Sequence, residues 1–327
     1  MPEFAIKRLL SGGLITNYSC SSNCQHCLYA CSPRRRPDYI SEEDALKYLS
    51  LIRSMGCNTV HIGGGEPFLQ SGKLSLVLKA ANQAGVKIEY VETNSSWFKN
   101  DEDADRILQD LRQAGLRTLL ISISPFHAEF VPLAKVNGVM QACSRNGINV
   151  FPWVREFYQD FSGFDQNETV EIAQLVEVFG QAYLNSIVQR YWIQPNGRAI
   201  NFLKKVYQMK SSVDLASDRT GCQELLQTSH FHLDLYGNYI PGLCAGLSIR
   251  HSDLGKTLNS GEYKIINILA ESGPAGLVDY ATGLGYRMAH EYLNKCHLCQ
   301  DIRRFLLREK GIDSQELQPR EFYAFIE

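Results

Sequence analysis

The stretch Cys20-Ser-Ser-Asn-Cys24-Gln-His-Cys27 constrains this chain more than any other. Three thiols at C-x3-C-x2-C spacing can hold three irons of a 4Fe–4S cluster and leave the fourth iron open, since thiolate is the usual iron–sulfur ligand. An open position is what separates a catalytic metal centre from a closed structural one. Cys31 follows four residues later. With it the loop also offers four thiols to a tetrahedral zinc, so the loop alone leaves two metals open.

The second constraint lies about forty residues on. Residues 58–62 read as a strand, and Gly63-Gly64-Gly65-Glu66-Pro67 follows at its end. Glycine lets a backbone approach a ligand closely, and a glutamate offers an acceptor for an ammonium group. A structural zinc loop has no need of this second element. Together the two stretches resemble the radical S-adenosylmethionine (SAM) superfamily. In that family the open iron chelates the methionine amino and carboxylate groups, and one electron cleaves the sulfonium to release a 5′-deoxyadenosyl radical. The resemblance implies that Cys20, Cys24 and Cys27 hold the cluster. It places His26 in the slot before the third cysteine and gives Gly64, Gly65 and Glu66 to the cofactor amino group.

The rest of the N-terminal part alternates. Strands are expected near 13–19, 58–62, 86–92, 117–123, 148–154 and 186–193. Helices are expected over 41–55, 73–84, 101–114, 133–146 and 168–180. Ser41 with Asp44 approaches a capping box, and Ala45, Leu46, Leu49, Ile52 and Met55 repeat at helical spacing. Six strands alternating with helices imply an α/β fold with parallel strands and right-handed crossovers, with sites at the carboxyl ends of the strands. The family's partial (β/α)6 barrel is what the resemblance implies. At strand ends the resemblance implies further cofactor contacts at Asn94, Ser122 and Gly197, and Arg155, just past the fifth strand, is a candidate for the cofactor carboxylate; each also reads as a turn, cap or surface residue. Arg34-Arg35-Arg36, between two prolines, reads as a solvated loop tip or as an anion grip.

After about residue 210 the alternation stops. Cys222, Cys244, Cys296 and Cys299 appear, and Phe231–Ile240 reads as a β-hairpin around Asp234-Leu-Tyr-Gly237. Four cysteines can fully ligate a second cluster, and zinc accepts four thiolates as readily. The spacing resembles the SPASM and twitch extensions of radical SAM enzymes, and the 28 residues after Cys299 hold no cysteine, which fits a one-cluster twitch-type domain. The expected division is a barrel over 1–210 and an auxiliary-cluster domain, a hairpin plus a helix, over 211–327.

Composition narrows the partners. Net charge is −2 over 327 residues, so no bulk basic field exists to hold a nucleic-acid backbone. No run of about 18 apolar residues appears, and the start is too weakly apolar for a secretion signal. Ten cysteines without such a signal read as metal ligands or catalytic thiols of a cytoplasmic protein. The layout is most similar to the epipeptide epimerases, on C-x3-C-x2-C-x3-C-S-P and on Ser122–Pro132. One departure is Ala245, where a thiol donor beside the second cluster is expected of an epimerase; Cys31 is then the candidate hydrogen donor. The resemblance therefore implies hydrogen abstraction from a peptide, with net oxidation or bond formation. A sugar, an alcohol or another small metabolite is the alternative. Two 4Fe–4S clusters, SAM and an external reductant such as flavodoxin or ferredoxin are the implied cofactors and partners. The first strand starts near residue 13, so a peptide is expected to bind the barrel mouth or a separate protein.

Overall fold

The computed structural model describes residues 4–326. Its contacts divide the chain into two compact units. One, here the barrel unit, comprises Gly13–Cys24 and Cys31–Ile193. The other, the C-terminal unit, comprises residues 4–12, 25–30 and 194–326.

In the barrel unit, β1 (Gly12–Ile15), β2 (Thr59–Gly63), β3 (Lys87–Thr93), β4 (Thr118–Ser122) and β5 (Asn149–Trp153) lie side by side in chain order. All four pairings are parallel. Helices α1 (Glu42–Ser54), α2 (Ser71–Ala84), α3 (Asp101–Ala114) and, after the short α4 (Pro125–Ala128), α5 (Leu133–Arg145) join successive strands. Local chemistry sets their ends. Ser41 accepts the Asp44 N–H to cap α1, and Asn100 accepts the Asp103 N–H to cap α3. Acidic residues fill both first turns, as the helix dipole favours. One face of each helix is buried, Ala45–Leu49–Ile52 on α1 and Ala104–Leu108–Leu111 on α3, against strand residues Leu14, Val60, Ile62, Val91 and Leu119 of the same core. This is an α/β fold with a parallel sheet, consistent with a partial TIM-type barrel, and parallel order puts the carboxyl ends of all five strands on one edge.

Two expectations are corrected. Residues 186–193 are not a sixth strand. After α6 (Phe157–Asp160) and α7 (Ile172–Phe179), helix α8 covers Tyr183–Arg190. Its buried residues, Tyr183 and Ile187, with Tyr191 just beyond, recur every four positions, and Arg190 ion-pairs with Asp160 at 2.8 Å over the Phe157 ring. A short apolar run has no period of its own to separate strand from helix. The second correction is Arg35, which is not in a solvated tip. It is 3% exposed, with its guanidinium 4.7 Å from the centre of the Tyr18 ring.

The C-terminal unit carries α9 (Ala199–Leu203), β6 (Lys210–Ser211), α10 (Ser212–Ser217), β7 (Phe231–Asp234), β8 (Asn238–Ile240), β9 (Ile249–Arg250), α11 (Lys264–Thr282), β10 (Glu291–Tyr292) and α12 (Lys295–Arg308). Strands β7, β8 and β9 are antiparallel. The hairpin turn follows from Asp234, whose carboxylate accepts the N–H groups of Tyr236 and Asn238 and the Asn238 amide. Phe231, Leu233, Tyr239 and Ile249 pack with Ile266, Leu269, Leu298, Ile302 and Phe322 as the core. Helix α11 breaks at Gly273–Pro274, where the backbone leaves helical angles. Pro274 has no N–H for the Ala270 carbonyl, so the ladder is interrupted there, next to the Leu269 carbonyl. That carbonyl accepts the Cys222 N–H at 2.8 Å, which anchors the first cysteine of this unit.

Candidate metal and cofactor sites

Cys20 and Cys24 lie in the barrel unit just past β1, both buried. A network of short hydrogen bonds fixes this loop against the ends of β2 and β3. Cys20 N–H donates to Ser32 O at 3.2 Å. The Asn94 amide, at the end of β3, donates toward Cys20 Sγ at 3.5 Å, Ser21 Oγ at 3.1 Å and Ser22 Oγ at 3.2 Å. Asn17, past β1, donates to Ser19 O at 2.8 Å and Glu66 O at 3.2 Å. The glycine loop runs directly against the cysteine loop: Gly65 N–H donates to Asn17 O at 2.7 Å and Glu66 N–H to Ser19 O at 3.0 Å. A β-carbon on Gly65 would collide with the Ser19 carbonyl, so the close approach requires glycine there. The Cys31 thiol reaches the Gly64 carbonyl at 3.8 Å.

Glu66 is fully buried. Its carboxylate accepts the Asn94 N–H at 2.7 Å, the Phe68 N–H at 3.1 Å and the Thr93 hydroxyl at 3.0 Å. A carboxylate has about four acceptor positions, so one remains for a ligand. Burial pushes its pKa up to about 7, against the lowering effect of these three donors. Glu66 therefore ties the end of β2 to the end of β3 in addition to any ligand role.

The remaining barrel candidates separate. Ser122 ends β4 and lines a cavity of about 20 Å³ with Ser124, His127 and Phe161. That volume suits a water, not a ribose. His127 is held neutral there, burial lowering its pKa to about 4. Arg155 is exposed in the turn after β5.

In the C-terminal unit, the half-buried His26 and Cys27 lie on segment 25–30. The Cys27 carbonyl accepts the Arg198 N–H at 3.2 Å. Gly197 adopts φ +62°, and a β-carbon on it would collide with the Leu28 carbonyl and sit 2.7 Å from Cys27 O. Gln300 holds the same glycine, accepting its N–H at 2.6 Å and donating to its carbonyl at 3.3 Å. Gly197 thus supports the backbone of Cys27.

The four later cysteines come together in this unit. Asn294 caps α12 by accepting the N–H groups of Cys296 and His297. Cys296, Cys299 and Arg303 then fall at i, i+3 and i+7, on one face of the helix. Cys244 follows the hairpin, and Cys222 hangs from the break in α11. Burial first, then Cys244, raises the Cys222 pKa, and Cys222 donates to Glu224 at 3.0 Å. Burial first, then Cys296, raises that of Cys244. Burial first, then Cys299, pushes Cys296 up to about 11. Burial and neighbouring cysteines thus favour the neutral thiols of Cys222, Cys244 and Cys296, and a metal bound there would displace their protons. Two orphaned donors border the set. Arg303 Nε and the Tyr239 hydroxyl are buried and have no hydrogen-bond partner. Each such group costs about 1–3 kcal/mol if left unmade. A cluster bearing thiolate and sulfide acceptors fits both the donor set and the orphans.

Residues 14–145 match the family model of the Radical SAM superfamily. That stretch is similar to the radical SAM domain. Among curated proteins, GTP 3′,8-cyclase of Aquifex aeolicus (strain VF5) is 24% identical over 115 residues, 34% of this chain and 33% of that one. A probable GTP 3′,8-cyclase of Pyrobaculum aerophilum is 27% identical over 131 residues, 40% and 39% of the two chains. The match spans roughly a third of the length of these relatives. Among solved structures, BtrN in complex with AdoMet and 2-DOIA aligns at TM-score 0.44 and 14% identity, covering 83% of this chain and 90% of that one. Native anSMEcpe with bound AdoMet aligns at TM-score 0.43 and 11% identity, covering 92% and 97%. Streptococcus suis SuiB bound to precursor peptide SuiA aligns at TM-score 0.34 and 14% identity, covering 89% and 71%.

Sequence reasoning missed Asn17, Gln300, Arg303 and Tyr239. Asn17 reaches Glu66 and Gln300 reaches Gly197 across long stretches of chain, and the roles of Arg303 and Tyr239 depend on which groups the fold buries beside them. Among the described residues no helix is long and apolar enough to cross a membrane.

Proposed function

We propose that this protein is a radical SAM enzyme that removes a hydrogen atom from a C–H bond of a peptide and leaves an oxidised or newly bonded product. In this reading Cys20, Cys24 and Cys27 hold the SAM-binding 4Fe–4S cluster, and Cys222, Cys244, Cys296 and Cys299 hold a second, twitch-type one. When bound, the first cluster supplies the electron that cleaves SAM to the 5′-deoxyadenosyl radical, and the second takes up the electron left on the substrate.

The observation that carries the reading is the lacing of the Cys20 loop to the Gly64-Gly65-Glu66 loop through Asn17, Glu66 and Asn94. A metal loop serving only structure has no use for a glycine-lined ledge pressed against it. Glu66 keeps one acceptor position for the methionine amino group, and Asn94 holds the side chains of Cys20, Ser21 and Ser22 at the end of β3. In the other unit the Arg198 N–H holds the Cys27 carbonyl, in a turn that Gly197 and Gln300 fix. His26, Ser122 and Arg155 are carried as cofactor contacts on the family pattern alone. Binding energy spent on positioning SAM and substrate is the protein's share of such chemistry.

Net oxidation is favoured over epimerisation by the thiols. Cys57 donates to Thr59 O at 3.0 Å at the amino end of β2, and Cys143 is buried in α5 with its pKa pushed up to about 12 by burial. Cys31 alone adjoins the glycine loop. The peptide substrate rests on the resemblance of the C-x3-C-x2-C-x3-C-S-P and Ser122–Pro132 stretches to those of epipeptide epimerases. A small metabolite is the second reading. The test supplies reduced enzyme and SAM with the peptide fraction, or separately the small-metabolite fraction, of an extract of the source cells. Stimulation of 5′-deoxyadenosine formation by the peptide fraction supports the first reading. Stimulation by the metabolite fraction alone replaces it with the second.

A further inference from the structure

Helix α12 places a buried cation beside the four-cysteine site. Arg303 is 1% exposed. It donates to the Ala245 carbonyl at 2.9 Å and the Tyr323 hydroxyl at 3.0 Å, and it hydrogen-bonds Cys299. A buried charge without a counter-charge is strongly unfavourable, and the negative charge of a metal–thiolate centre at Cys244 and Cys299 would supply one. Arg303 Nε still lacks a partner. On the hairpin strand β8, Tyr239 is fully buried with its hydroxyl unpartnered, and Cys244 acts on it.

We infer that Arg303, with Tyr239 in a smaller part, is the positioning residue that sets the reduction potential of the centre held by Cys222, Cys244, Cys296 and Cys299. This rests on the proposed second cluster. Hydrogen bonds to the sulfurs, local charge and burial are the protein's means of setting such a potential. A fixed positive charge favours the state carrying the extra electron. Hydrogen bonds from Arg303 Nε and the Tyr239 hydroxyl to the sulfurs would act in the same direction. The centre is thereby made a better electron acceptor, which is the task given to it above: one electron enters from the substrate radical, and one later leaves to an external acceptor such as oxidised flavodoxin.

The experiment uses full-length protein carrying Cys24→Ala, so that the second centre titrates alone, with iron and zinc analysis of every sample. Arg303→Gln, Arg303→Lys and Tyr239→Phe are then compared by redox titration followed by electron paramagnetic resonance. Arg303→Gln is expected to disfavour reduction at least tenfold, a fall of 59 mV or more for one electron. Arg303→Lys keeps the charge and loses the planar fork, so a smaller fall is expected, and Tyr239→Phe falls by a few-fold. Should both arginine variants fail to hold iron, Tyr239→Phe decides alone by the same criterion. Iron-loaded variants whose potentials stay within twofold of the parent equilibrium overturn this inference and leave the cluster in place. A parent that holds zinc, or no metal, overturns the cluster and the inference together.

Discussion

The backbone N–H of Asn94 donates to the Glu66 carboxylate at 2.7 Å, while the Asn94 side chain reaches back to Cys20, Ser21 and Ser22. One residue thus joins the ends of three parallel strands: the cysteine loop after β1, the glycine loop after β2 and its own turn after β3. The glycine loop and the Cys20–Ser22 stretch are held as one piece of the barrel unit.

Asn94→Ala keeps the backbone bond to Glu66 and removes only the amide. Three contacts to the cysteine loop are lost, one of them to the buried Ser22 hydroxyl. A buried group left unmade costs about 1–3 kcal/mol, so the loop opens about tenfold or more often. The expected result is correspondingly faster alkylation of Cys20 in metal-free protein, read by mass spectrometry, with Cys143 unchanged as internal control. Equal alkylation of Cys20 in both proteins contradicts the lacing.

Glu66 gives a pH signature. Its folded pKa of about 7 lies above the ordinary 4.5 because burial penalises the carboxylate. Between these values the folded state binds more protons than the unfolded one. The stabilising contribution is therefore complete below about pH 4.5 and is lost as pH rises through about 7, a span worth roughly 3 kcal/mol. Glu66→Gln cannot titrate. The stability of the parent relative to Glu66→Gln should fall with rising pH across that window in denaturant titrations of metal-free protein. A difference that is flat with pH shows that Glu66 is ionised throughout.

The reading of Gly197 and Gln300 predicts an effect on metal loading in the C-terminal unit. Gln300→Ala removes both bonds to Gly197, whose backbone supports Cys27. Slower iron uptake is expected at the first centre, measured in Cys244→Ala protein where only that centre fills. Unchanged uptake means that Gln300 only caps a turn.

The fate of the substrate radical separates oxidation from epimerisation. With Cys57 and Cys143 engaged or buried, the product formed in deuterium oxide should be lighter by two hydrogens and carry no solvent deuterium at carbon. Cys31→Ala should leave that outcome unchanged. A product of unchanged formula with one carbon-bound deuterium, lost in Cys31→Ala, makes Cys31 the hydrogen donor and the enzyme an epimerase.

Much of this was legible in the sequence because it is local. C-x3-C-x2-C, the Gly-Gly-Glu-Pro run and the capped helices of the barrel unit are fixed by neighbours a few residues apart. The span 186–193 misled because Ser-Ile-Val and Tyr-Trp-Ile carry strand-like side chains, while the period that decides it runs through Tyr183, Ile187 and Tyr191. Arg35 misled for the opposite reason: a basic triplet reads as solvated, and the burial of its middle member against the Tyr18 ring is set by the fold. The Gly273–Pro274 break was visible as a dipeptide, but its consequence for Cys222 depends on a strand of chain fifty residues earlier. Arg303 has no local signal at all except its place four residues after Cys299.

The most direct test of the central claim is SAM cleavage by the anaerobically reconstituted, reduced protein, set beside its metal content. The parent should bind about eight irons and form 5′-deoxyadenosine, and Cys24→Ala should bind about four and form none. Zinc in place of iron in freshly prepared anaerobic protein, or 5′-deoxyadenosine formed equally by Cys24→Ala, contradicts the account.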